Sequence, residues 1–102
     1  MERSIEFVNF DRSLGLEKAI HESLDKIESK YNWIIRVQVY LKDQNESDGA
    51  GKLCEMKLSV PGPQLFASAS ESEFIPAIHE TQRELERQLK KYKEMHFDNR
   101  RK

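Results

Sequence analysis

The stretch that decides the fold is residues 34–42, IIRVQVYLK, in which apolar and polar side chains alternate. A period of two is typical of a β-strand that buries one face. A second alternating run, KLCEMKLSV, occupies residues 52–60 beyond a polar, glycine-containing loop. The two runs therefore predict antiparallel neighbours in one sheet. The apolar residues expected on the buried face are Ile35, Val37, Val39, Leu41, Cys54, Met56, Leu58 and Val60.

Two shorter runs extend this sheet along the chain. Residues 3–8, RSIEFV, alternate enough for a strand, with Ile5 and Phe7 on one face. Residues 64–70, QLFASAS, follow a Pro-Gly-Pro turn at 61–63, which cannot continue a hydrogen-bonded ladder. We therefore predict four strands, of which the last three form an antiparallel meander.

Two amphipathic helices complete the pattern. The first is predicted over residues 14–31, where apolar residues recur at steps of three and four after two N-cap candidates, Asp11 and Ser13. The second is predicted to begin near Ser72, as its N-cap, and to run to about residue 95. Its apolar stripe consists of Phe74, Ile78, Leu85, Leu89 and Tyr92, with Thr81 or Gln82 between them.

The element order is β-α-β-β-β-α, which predicts a single α+β domain with two helices packed on one face of a four-stranded sheet. Double-stranded-RNA-binding domains have this kind of architecture, although a fold alone does not define a function. Residues 1–95 are expected to form the domain, and residues 96–102 a flexible basic tail.

Composition excludes several classes of protein. The 102 residues are enough for one domain, and no stretch is long and apolar enough to cross a bilayer. The N-terminus lacks the apolar segment of a secretory signal, so we expect a cytoplasmic protein. The single cysteine, Cys54, excludes an internal disulfide and lies at an inward strand position. The histidines are scattered and no phosphate-binding glycine loop is present, so no catalytic residue, metal or cofactor is predicted.

Charge is distributed unevenly along the chain. Residues 1–82 hold nine Lys and Arg against fourteen Asp and Glu, a net charge of −5, whereas residues 83–102 hold eight against four, a net charge of +4. The basic excess is concentrated in the second helix, around LERQLKKYK at residues 85–93. It is either a solvated helix face that complements the C-terminal dipole or a surface that meets nucleic acid.

The C-terminal half resembles the ribosome hibernation-promoting factors, also called sigma-54 modulation proteins. The similarity is carried by residues 60–94, VPGPQLFASASESEFIPAIHETQRELERQLKKYKE, and chiefly by Leu-x-Arg-Gln-Leu-x-Lys-x-Lys, which begins at Leu85. The N-terminal half matches more loosely, so that the resemblance spans residues 3–94. It implies the same β-α-β-β-β-α fold and, from the length of the chain, a short form of the family.

The resemblance also implies a function: binding to the small ribosomal subunit near the decoding region, where the protein blocks messenger and transfer RNA during stress or stationary phase. Family members often carry a basic residue at Ser23 and Lys at Glu84, which implies weaker electrostatic attraction here. The partner is then ribosomal RNA, without a membrane or small-molecule ligand, and we expect a monomer off the ribosome. The residues implied to bind ribosomal RNA are Lys26, Lys30, Arg83, Arg87, Lys90, Lys91 and Lys93.

A second hypothesis remains open beside this one. The acidic balance of residues 1–82 suits a protein partner better than RNA. The chain would then be a protein-binding regulatory module, of the sigma-factor modulator type, without direct contact to RNA.

Overall fold

The structure, a computed structural model, describes residues 1–44 and 49–98, with side chains as far as residue 96. The predicted order is confirmed. The elements are β1 (Glu2–Val8), α1 (Leu14–Lys30), β2 (Arg36–Asp43), β3 (Lys52–Ser59), β4 (Gln64–Glu71), α2 (Phe74–Lys93) and a π-helical turn (Glu94–Asp98). The predicted tail, residues 96–102, overlaps this turn at 96–98, and residues 99–102 lie outside the described range.

The four strands form one sheet in the order β1-β2-β3-β4. β1 is parallel to β2, and the other two pairs are antiparallel, with Val39 opposite Met56 and Met56 opposite Ala67. A parallel pair needs a crossover connection, which α1 supplies between β1 and β2. Both helices pack on one face of the sheet, where α2 contacts β3, β4 and α1. The other face is largely polar, although Phe66 is 50% exposed there.

The core lies between this sheet face and the two helices. Alternate residues of β2 and β3 are buried, and Thr81 occupies the gap in the apolar stripe of α2. The predicted stripes are therefore confirmed in both helices. The largest fully buried side chains are Ile20, Leu24, Ile27, Leu41, Met56, Leu58, Ile78, Leu85 and Leu89.

The prediction that Ile35 belongs to the core is wrong. Ile35 is 52% exposed, whereas Ile34 is 4% exposed and belongs to the core. β2 begins only at Arg36, and the chain turns at residues 32 and 33 just before it. Strand alternation therefore does not extend back to Ile35, and Ile34 takes the inward position instead.

The two helix starts differ in how they are capped. In α1, Ser13 is the N-cap and its Oγ accepts a hydrogen bond from Leu16 N–H at 3.2 Å, which confirms one of the two candidates. In α2 the predicted Ser72 cap is wrong, because the N-cap is Glu73 and makes no side-chain capping bond. Pro76 is the third residue of α2, where backbone N–H groups have no acceptor within the helix in any case.

The helices run side by side in the same direction. Ser23 Oγ donates to Gln82 Oε1 at 2.7 Å, and seven residues further along α1 Lys30 Nζ lies 3.5 Å from Glu86 Oε2. A later residue of α1 thus contacts a later residue of α2, so the two helices are parallel. Their C-terminal ends consequently lie at the same end of the molecule.

Candidate nucleic-acid interface

The α1 side of the candidate interface carries Lys26 and Lys30, which are four residues apart and therefore share one face of the helix. Both are exposed, and Lys30 contacts α2 through Glu86. Ser23 stands where family members often carry a basic residue, which implies a place on the surface that faces RNA, but here it does not lie on that surface. It is only 4% exposed because it lies between the helices, bonded to Gln82.

The α2 side carries the other five predicted residues. Arg83, Arg87 and Lys90 follow one another at steps of four and three, opposite the buried Leu85 and Leu89. Lys91 and Lys93 are exposed on the two flanks of the helix. The structure therefore brings all seven predicted residues to exposed positions on two adjacent helices. We call the following set the basic surface: Lys26, Lys30, Arg83, Arg87, Lys90, Lys91 and Lys93.

Three members of the basic surface are engaged in ion pairs. Lys30 pairs with Glu86 at 3.5 Å, Arg83 with Glu80 at 4.0 Å, and Arg87 with Glu84. Exposed pairs of this kind contribute only about 0–1 kcal/mol, so a phosphate can replace the carboxylate in each pair. Within the part of the chain that the structure describes, no ion pair involves the other four, which are Lys26, Lys90, Lys91 and Lys93.

Glu84 is held firmly in its charged form. Gln88 Nε2 donates to it at 3.0 Å and Arg87 bonds its other oxygen, and these two contacts, in that order, hold the pKa of Glu84 below its ordinary value. Gln88 is itself anchored, because it also donates to the Phe66 carbonyl at 2.9 Å. A negative charge therefore lies at the edge of the basic surface, and the Arg87 guanidinium bends towards it.

The opposite flank of α1 is acidic and faces β1. Arg3 bonds Asp25 at 2.8 Å and Glu28 at 3.0 Å, and the Met1 amine bonds Glu28 at 2.8 Å. The hydrogen bond from the Met1 amine, followed by that from Arg3, lowers the pKa of Glu28. Part of the acidic excess of residues 1–82 thus lies on a different flank of α1 from Lys26. On that acidic flank, Arg3 and the Met1 amine already neutralise the carboxylates.

The C-terminal ends of the two helices bring part of the basic charge together. Lys30 lies in the last turn of α1, and Lys90, Lys91 and Lys93 lie in the last turn of α2. Cations there complement the partial negative charge of a helix C-terminus. The helix dipoles therefore account for these four positions. They do not account for Lys26, Arg83 and Arg87, which precede the last turns.

An aromatic cluster lies at the same end and was missed from the sequence. We define it as Tyr31, Trp33, Tyr92 and His96. Tyr92 is 7% exposed, its hydroxyl donates to the Pro61 carbonyl, and its ring centroid lies 5.6 Å from that of Trp33. His96 stacks on Tyr92 with 4.1 Å between centroids. The four-residue spacing of Tyr92 and His96 was the one signal in the sequence, while the approach of Trp33 depends on packing.

Three further features of the described residues bear on a catalytic, ligand-binding or metal site. Cys54 is fully buried, and burial raises its pKa to about 12, so its thiol is a poor nucleophile. A groove of 880 Å³ between β4 and α2 is bordered by Glu80, Arg83, Glu84 and Arg87, which pair with one another. Residues 1–44 and 49–98 contain no group of three or more potential metal ligands, nor a helix able to span a membrane.

The fold and this surface together define a small α+β domain whose two parallel helices present exposed basic residues over one face of a sheet. The chain belongs to the Sigma 54 modulation protein / S30EA ribosomal protein family, whose model matches residues 4–96. The resemblance recognised in the sequence is thereby confirmed.

Relatives of known name and structure agree with this assignment. Two curated sequences from Pseudomonas putida, each named ribosome hibernation promoting factor, are 33% identical over 79 residues, which is 78% of this chain and 74% of theirs. A ribosomal subunit interface protein from Coxiella burnetii superimposes with a TM-score of 0.80 at 20% identity, covering 91% of this chain and 98% of that one. The N-terminal domain of Protein Y from Thermus thermophilus gives 0.76 at 16% identity, covering 90% and 99%. Because both sequence identities are low, these two structures establish the fold alone.

Proposed function

We propose that this protein is a ribosome-associated translation inhibitor that binds the small subunit near the decoding region. It acts in the cytoplasm during stress or stationary phase, by occupying the positions of messenger and transfer RNA. Family membership and the two relatives named ribosome hibernation promoting factor support this proposal. The observation that carries it is the basic surface, where seven predicted cations lie exposed on two parallel helices.

The proposed mechanism is steric and electrostatic, without catalysis. Lys26, Lys90, Lys91 and Lys93, which form no ion pair with the described residues, contact phosphates directly. Arg83 and Arg87 exchange their carboxylate partners for phosphate oxygens. Each phosphate that is neutralised releases condensed counterions, so affinity falls as salt rises. The bound domain then excludes other RNA by its volume. Off the ribosome we propose a monomer, since one chain closes the core by itself, with no membrane or small-molecule partner.

Charge reversal tests this function. A variant with Arg87→Glu, Lys90→Glu and Lys91→Glu is expected to leave ribosomes in a co-sedimentation assay at moderate salt, because favourable phosphate contacts become repulsive. The matched control reverses three cations on the open sheet face, Arg36, Lys42 and Lys57, and should still sediment with ribosomes. If the α2 variant co-sediments as the natural protein does, this mode of binding is wrong.

The alternative is a protein-binding regulatory module, favoured by the acidic flank of α1. Asp25 is the most exposed carboxylate there, with 69% of its side chain accessible, although it pairs with Arg3. Affinity capture from nuclease-treated cells separates the two proposals. A discrete protein recovered without ribosomal RNA would favour the module, whereas loss of all partners after nuclease treatment would favour RNA binding.

A further inference from the structure

The imidazole of His96 is exposed and yet fixed in orientation. Its ring stacks on that of Tyr92, with 4.1 Å between centroids and 24° between planes. Its Nδ1 also lies 3.0 Å from the Tyr92 carbonyl oxygen, a hydrogen bond if Nδ1 carries the proton. Two contacts therefore set the plane of a ring that is otherwise exposed among the residues whose side chains the structure describes.

The ring beneath it is anchored in turn. The hydroxyl of Tyr92 donates to the Pro61 carbonyl, and the Trp33 ring packs against the Tyr92 ring with 5.6 Å between centroids. Gly62 has a φ of +114°, and a Cβ at this position would lie 3.3 Å from the Tyr92 hydroxyl oxygen. Glycine therefore permits the turn at residues 61–63 to approach the ring closely. His96 thus rests on a support that belongs to the domain core.

His96 follows the basic end of α2, with one carboxylate, that of Glu94, between them in the chain. Lys91 and Lys93 lie in the last turn of α2, immediately before the π-helical turn that carries His96, and Lys30 ends the parallel helix α1. A flat, oriented aromatic surface next to cations is the combination that binds single-stranded nucleic acid. The aromatic ring stacks on a base while the cations contact the backbone.

We propose that the exposed face of His96 stacks on an unpaired nucleobase of the RNA whose phosphates the basic surface contacts. This inference rests on the proposed function and adds a base-contacting position to it. The ligand class is a single-stranded or looped-out nucleotide, because a base inside a duplex has no free face. Stacking tolerates any base, so His96 contributes affinity and position rather than sequence preference.

The test measures binding of fluorescently labelled protein to purified small subunits over a range of salt concentrations. His96→Ala is expected to weaken binding by about 5- to 150-fold, the range found for loss of one stacked base. His96→Phe should bind about as tightly as the natural protein, because it restores a flat ring. His79→Ala, which removes an exposed histidine from the other end of α2, is the matched control and should bind normally.

The salt dependence separates stacking from charge. His96→Ala should lower affinity equally at every salt concentration, whereas Lys91→Ala should reduce the slope of log K against log salt by about 0.7–0.9. A reduced slope for His96→Ala, or failure of His96→Phe to bind, would overturn stacking. Unchanged binding of His96→Ala would overturn it too, and the proposed function would stand. If the natural protein does not bind small subunits, both proposals are wrong.

Discussion

At the scale of single residues, neighbouring charges decide how the basic surface is presented. Arg87 is 75% exposed, but its guanidinium is drawn towards Glu84, which Gln88 in turn holds in place. Lys90 and Lys91 are also exposed and have no ion pair in the described range. Equal formal charges in one helix therefore differ in how readily they meet a phosphate.

Glu84→Gln should strengthen binding to ribosomes. The substitution keeps the size of the side chain but removes the charge that holds Arg87 and repels phosphate. An exposed pair contributes about 0.2–1 kcal/mol, so the gain is expected to reach about fivefold, measured as the Kd for small subunits at neutral pH.

Glu73→Gln is the control for that experiment, because it removes the same charge at the start of α2, away from the basic surface. Equal gains in the two variants would mean that net charge matters and that release of Arg87 does not. Weaker binding of Glu84→Gln would contradict the prediction directly.

At the scale of elements, α1 joins its neighbours by two kinds of polar contact. A partly buried hydrogen bond from Ser23 to Gln82 connects α1 to α2. On the other flank, Arg3 and the Met1 amine connect β1 to α1 through Glu28. The second connection is ionic and therefore depends on pH.

Glu28→Gln should destabilise the domain at neutral pH and have little effect in acid. Its lowered pKa means that the folded state favours the carboxylate, so this stability is present above the unfolded-state pKa and is lost as pH falls through the lowered value. About a third of the side chain is exposed, which limits the loss to roughly 1 kcal/mol.

Urea unfolding at neutral pH and at a pH below the lowered pKa of Glu28 measures this dependence. Glu22→Gln serves as the control, because Glu22 is exposed on the same helix and has no ion pair among residues 1–44 and 49–98. A difference between Glu28→Gln and the natural protein that persists unchanged in acid would refute an ionic origin.

At the scale of the whole molecule, one core unites the sheet and both helices. Cys54 belongs to this core and has no exposed surface, and its pKa is raised to about 12 by burial. The thiol can therefore react only when the domain opens.

Cys54 should be unreactive towards a thiol reagent at pH 8 in the folded protein and should react fully in denaturant. The rate without denaturant is expected to fall by at least about a thousandfold, following the population of open molecules. Absorbance of the released chromophore measures it. Rapid labelling of folded protein would show that β3 opens locally, contrary to a single cooperative core.

Much of this architecture could be predicted from periodicity. Alternation in residues 52–60 and the stripe through Leu85 and Leu89 report local geometry, because each period belongs to one kind of backbone. Periodicity was wrong at Ile35, and the N-cap preference was wrong at Ser72. Both residues lie in connections between two elements. There the conformation of the connecting segment, rather than the repeat of a helix or strand, decides which way a side chain points and where the next element begins.

The sequence by itself determined the order of elements, the buried faces and the cations of α2, since all of these follow from residues close together in the chain. Only the tertiary structure placed Lys26 and Lys30 beside α2, buried Ser23 against Gln82, and set His96 on a ring supported by Trp33. These contacts join residues far apart in sequence. They depend on how two helices pack on one sheet, which no local pattern encodes.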